Sequence, residues 1–89
     1  MKKVGIRVGA IQSKDEKTVH FYGYGVYVGD EIPPSGFAHD IGMKNPKIQL
    51  DDGGVVWGQE CWWGDEEAVK RVIGGREIIA VVPGREATP

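Results

Sequence analysis

The stretch Thr18-Val19-His20-Phe21-Tyr22-Gly23-Tyr24-Gly25-Val26-Tyr27-Val28 alternates with a period of two and reads as one long β-strand. Val19, Phe21 and Tyr27 fall on one side, with Gly23 and Gly25 between them. His20, Tyr22, Tyr24, Val26 and Val28 fall on the other. Two glycines on one face leave a bare groove, suited to a strong bend or to close approach by a ring or a second backbone. Upstream, Met1 to Ile11 repeats the pattern, with Val4, Ile6, Val8 and Ala10 on one face and Gly5, Arg7 and Gly9 on the other. The polar turn Ser13-Lys14-Asp15-Glu16-Lys17 joins the two runs, which predicts antiparallel pairing.

Downstream the period is lost. Gly29 to Pro46 carries Pro33-Pro34, Gly36, Gly42 and Asn45-Pro46, and a loop of that length in so short a chain is often functional. Lys47 to Leu50 reads as a short strand, Asp51-Asp52-Gly53-Gly54 as a turn, and Val55 to Glu60 as the returning strand. With Asp52-Gly53 as a two-residue turn, Leu50 faces Val55 and Ile48 faces Trp57, all four towards the core; a slip of one residue reverses this. A short helix follows Gly64, with Asp65 as its cap, Val69, Val72 and Ile73 as its buried stripe, and Gly74-Gly75 as its stop. On its outer side Glu66 and Lys70, and Glu67 and Arg71, are spaced for i,i+4 ion pairs. Arg76 to Val82 forms a last strand. The order β-β-loop-β-β-α-β predicts a small α+β domain, an antiparallel sheet or partly open SH3-like barrel with one short helix. Residues 1–82 make a single β-rich domain and 83–89 a flexible C-terminal tail.

The net charge of −2 is spread over mixed residues, so no bulk attraction to duplex nucleic acid or an anionic membrane is expected. Cys61 is the sole cysteine, which excludes an intrachain disulfide; with no apolar signal segment, the expected location is cytoplasmic. The apolar run Ile78 to Val82 is far too short to span a bilayer.

The aromatic clusters carry the strongest functional signal. Tyr22 and Tyr24 point away from Phe21 and Tyr27, and the adjacent Trp62 and Trp63 must face opposite sides of an extended backbone. Such rings pack a core, or they form a stacking platform or an interface anchor. Arg7 and Arg76, on strands that can be neighbours, are the cations placed to meet an anion beside them. Arg71 already has a partner on its own helix. Asp51-Asp52 and Asp65 are explained by turn and cap, and the Asp30-Glu31 pair reads as solvated. His20, His39 and Cys61 lack any metal-ligand or nucleophile spacing, so no cofactor, no metal and no enzyme activity are expected. Gly23-Tyr24-Gly25 is half a dinucleotide fingerprint, but no helix follows it.

The stretch from Gly23 to Pro34, then Asn45-Pro46-Lys47-Ile48, then Val56-Trp57-Gly58-Gln59-Glu60-Cys61-Trp62-Trp63-Gly64, resembles a group of short uncharacterised bacterial and phage proteins. That resemblance implies no residue role. It suggests a stoichiometric counter-defence function, by sequestering a nucleotide signal or binding a host protein. The expected function is non-catalytic capture of a small planar anionic ligand by a homo-oligomer, with Tyr22, Tyr24, Trp62 or Trp63 stacking a base and Arg7 or Arg76 meeting phosphate. The alternatives are a protein-interaction module or inhibitor of a host protein, and, third, a small hydrolase.

Overall fold

A computed structural model describes residues 3–83. Its elements are β1 (Arg7–Lys14), β2 (Thr18–Glu31), α1 (Gly36–Asp40), β3 (Asn45–Leu50), β4 (Val55–Trp57), a 3-10 turn (Gly58–Glu60), β5 (Trp62–Asp65), α2 (Glu66–Ile73) and β6 (Glu77–Ala80). The fold is the small α+β domain expected: a six-stranded, mostly antiparallel sheet that does not close. Its order is β4-β3-β2-β1-β5, with β6 beside the first half of β2. That last pairing is parallel, Thr18 to Phe21 against Glu77 to Ala80. The strand expected over Val55 to Glu60 is shorter, and Trp62–Asp65 forms an additional strand against β1. Most of the tail expected over 83–89 lies outside the described residues.

The curl of the sheet follows from chain length. Flat, β4 and β5 would lie about 19 Å apart at the ordinary strand spacing. The residues joining Trp57 to Trp62 reach at most about 17 Å when fully stretched, and part of this link is a 3-10 turn. The two end strands are therefore drawn towards each other. One cluster of side chains fills the curl: Val8, Ala10, Tyr22, Tyr27, Ile48, Leu50 and Val56, with Cys61 and Trp63 against it. A second cluster, Ile11, Val19, Phe21, Val69 and Ile73, lies between the sheet and α2. Of the predicted helical stripe, Val69 and Ile73 are buried there and Val72 is partly buried at its edge.

The long strand breaks its own alternation. Ala10 pairs with Gly23 while Ile11 pairs with Phe21, so Tyr22 is an extra residue in a β-bulge. The bulge reverses the parity of the residues beyond it as far as Tyr27, after which a second irregularity precedes Gly29. Tyr22 joins Tyr27 in the first cluster, and Tyr24 instead meets Phe21 edge-on at 4.9 Å on the helix side. The bare face of β2 is used for backbone: Gly23 adopts φ +136° at the bulge, and a Cβ on Gly25 would collide with the Gln49 carbonyl of β3.

The register of the β3–β4 hairpin also differs from expectation. Leu50 N donates to Gly54 O at 2.8 Å, closing a three-residue loop, Asp51-Asp52-Gly53, with Gly53 at φ +100°. Ile48 therefore pairs with Val56, Gln49 with Val55 and Lys47 with Trp57. This is the one-residue slip that reverses the hairpin. Ile48, Leu50 and Val56 enter the core, and Trp57 leaves it.

At the helix, Asp65 occupies the N-cap position without a side-chain capping bond. Glu67 pairs with Lys70 at 3.5 Å rather than with Arg71, and Glu66 reaches Arg7 at 3.3 Å rather than Lys70.

Candidate functional site

The six residues singled out from sequence do not form one site. Arg7 is held by both oxygens of Asp51 at 2.7 Å and by Glu66 at 3.3 Å, tying the hairpin loop to the start of α2. The same contact holds the Asp51 carboxyl below its ordinary value. Arg76 donates at 2.6 Å both to the Asp15 carbonyl and to the Val72 carbonyl, pinning the end of α2 to the β1–β2 turn. Tyr22 is buried, and its hydroxyl accepts from Gln12 Nε2 at 3.4 Å. Trp63 stacks on Tyr27 at 5.3 Å, and its indole nitrogen and the Pro46 ring both crowd the position of Gly58. Of these rings Trp62 is the exposed one, at 48%, beside an apolar groove that includes Ile11 and Val72. The two tryptophans do take opposite sides of β5, Trp63 towards the first core cluster and Trp62 outward.

The chemistry-bearing side chains are dispersed. His20 Nδ1 lies 3.3 Å from Ser13 Oγ, and His39 Nδ1 lies 3.5 Å from Asp40. Cys61 Sγ donates to the Trp57 carbonyl at 3.6 Å. Burial, with Glu60 adding to it, pushes the Cys61 thiol up to about 12. Among the described residues, no group of three His, Cys, Asp or Glu side chains is placed to hold a metal ion. No helix there is long and apolar enough to cross a membrane.

A different set of residues builds a cleft. The reversed hairpin presents Trp57 on the outside of the sheet, where it forms one wall of a cavity of about 320 Å³. The irregular loop supplies other walls, with Pro33, Pro34 and α1, whose Phe37 is 73% exposed. Met43 and Asn45 line it where β3 begins, and Gln59 and Glu60 line it from the 3-10 turn. Asn45 is 3% exposed, and its Oδ1 is buried without a hydrogen-bond partner among the described residues. The volume sits at the small end of ligand pockets, about one ring system. Lys47, bonded to Glu31 at 3.3 Å, stands 6.0 Å from the Trp57 ring centroid and does not line this cleft.

The sequence signal for this site was the long Pro- and Gly-punctuated segment 29–46. The signal missed was the hairpin loop length, which alone decides whether Trp57 faces in or out. No family model matches the sequence, and neither the curated proteins nor the solved structures compared with it yield a match.

Proposed function

We propose that the chain is a non-catalytic binding domain that captures a small planar ligand of the nucleotide class, and that the cleft between Trp57 and Phe37 is where it does so. One observation carries the reading: Pro33, Pro34, Met43, Trp57 and a largely exposed Phe37 line one cleft. An exposed phenylalanine is unfavourable in water unless something covers it. A planar ligand in the cleft would cover that ring. The dispersal of His20, His39 and Cys61 supports binding over catalysis: His20 contacts Ser13, His39 contacts the adjacent exposed Asp40 and Cys61 contacts a backbone carbonyl, so the three do not assemble with one another. Such a domain would act stoichiometrically, holding its ligand out of circulation.

The test is calorimetric titration of the purified protein with AMP, GMP, CMP and UMP, beside Phe37→Ala. Phe37 is too exposed to be needed for folding. Wild-type heat that Phe37→Ala weakens supports the reading. Absence of heat with all four nucleotides in a folded wild type removes it.

A second surface supports the expectation of a homo-oligomer. Trp62 leaves a large ring half-exposed over an apolar groove, which a second copy of the chain would cover. Sedimentation of wild type and Trp62→Ser decides this: a dimer lost in the variant supports it, and a wild-type monomer rejects it.

A further inference from the structure

We infer that the free edge of β6 pairs antiparallel with β6 of a second copy, giving a weak two-fold dimer. The inference goes beyond the ligand reading and uses the margin of the sheet away from Trp62. Trp62 on β5 pairs with Ile11 on β1, Ile11 with Phe21 on β2, and Phe21 with Ala80 on β6, so Trp62 and β6 lie at opposite margins. Among the described residues β6 pairs with β2 alone. Glu77 N donates to the Lys17 carbonyl at 2.8 Å, and Val81 N to the Phe21 carbonyl at 3.1 Å. Glu77, Ile79 and Val81 therefore turn their backbone groups to β2, and Ile78 and Ala80 turn theirs outward. All four residues of the strand are exposed, Ile78 at 53% and Ile79 at 38%. Proteins guard an open apolar edge of this kind with lysine, proline or a bulge. β6 has none of these between Glu77 and Ala80.

A second copy of the strand fits this edge. Under a two-fold rotation about Ile79, Ile78 comes opposite the partner's Ala80, and each such pair exchanges both backbone hydrogen bonds. Ile79 then meets the partner's Ile79 at the closer, non-hydrogen-bonded spacing. The one charged residue of the strand, Glu77, falls opposite the partner's Val81. The two Glu77 carboxylates are then about 13 Å apart along the strands, more than a Debye length in ordinary buffer. Four strand residues a side are too few for a permanent dimer. The contact belongs to the transient class, below about 1,200 Å², and forms at high concentration.

The test is a dilution series of the full ¹⁵N-labelled chain, from about one millimolar to about ten micromolar, read by backbone amide shifts and by sedimentation. Wild type is compared with Ala80→Pro, Ile78→Lys and Trp62→Ser. Ala80→Pro removes an outward donor that β6 does not use within its own sheet, and Ile78→Lys places a charge on the open edge. The Ile78 and Ala80 amide signals should move with concentration in wild type and in Trp62→Ser. Self-association should weaken about tenfold or more in both β6 variants. If Ala80→Pro does not fold, Ile78→Lys decides alone. A wild type that stays monomeric over the whole range, or that associates with the Ile78 and Ala80 signals fixed, overturns the inference. Undiminished association in a folded β6 variant overturns it too. Association lost only in Trp62→Ser overturns it in favour of the Trp62 contact. The ligand reading stands or falls separately, on its own titration.

Discussion

Replacing Asn45 by leucine should make this protein more stable. The two side chains share one branching pattern, so the change substitutes apolar atoms for a buried carboxamide with little rearrangement. Asn45 is 3% exposed and its Oδ1 has no partner, so the native state carries the desolvation cost of that acceptor. Removing an unsatisfied buried acceptor returns about 1–3 kcal/mol. The methyl groups of leucine are bulkier than the atoms they replace, and crowding takes back part of that gain. A net stabilisation of about 1 kcal/mol is expected, which in a domain of this size raises Tm by about 4–8 °C. Thermal and urea unfolding of the two proteins measure the difference. A structural asparagine would behave in the opposite way. If Asn45→Leu loses more than about 1 kcal/mol, Asn45 holds the fold together and the reasoning is refuted.

Three further outcomes follow from the packing. Trp63→Ala should cost about 3–5 kcal/mol, because the ring stacks on Tyr27 against the first core cluster, whereas Trp62→Ala should leave the Tm nearly unchanged; equal losses in chemical denaturation contradict that assignment. Cys61, its thiol pushed up to about 12, should react with a disulfide reagent at pH 8 far more slowly than in the unfolded chain, and equal rates would contradict its burial. The Asp15 carboxylate accepts from the Lys17 and Thr18 amides at 2.8 Å and the Thr18 hydroxyl at 3.0 Å, and these bonds hold its carboxyl below the ordinary value. A carboxyl lowered in the folded state stabilises fully above its unfolded pKa and loses that contribution as pH falls through the folded one. Tm should therefore be level down to about pH 5 and drop below about pH 4. Asp15→Asn should shallow that drop, and an unchanged acid limb would refute the role of Asp15.

What was legible in the sequence was what depends on local periodicity. Alternation identified β1 and β2, and the spacing of Val69, Val72 and Ile73 identified the inner face of α2. Single-residue events escaped it, and two of them move aromatic rings. The bulge at Tyr22 exchanges the faces expected for the later aromatics of β2, because a period-two pattern has no memory of an inserted residue. The three-residue loop Asp51-Asp52-Gly53, in place of a two-residue turn at Asp52-Gly53, moves Trp57 from core to cleft. Arg7 was legible as a strand cation but not as a partner of Asp51 and Glu66, which lie 44 and 59 residues away along the chain. The orphaned acceptor of Asn45 was beyond sequence reasoning altogether.

The central claim is that ligand enters beside Trp57 and not at the adjacent tryptophans of β5. The chain has three tryptophans, and their indole N–H signals in ¹⁵N-labelled protein can be assigned by single substitutions. Adenosine should shift the Trp57 signal, with the backbone amides of Phe37 and Asn45, and leave Trp62 where it was. A titration that moves Trp62 and spares Trp57, or that moves neither in a folded sample, contradicts the account.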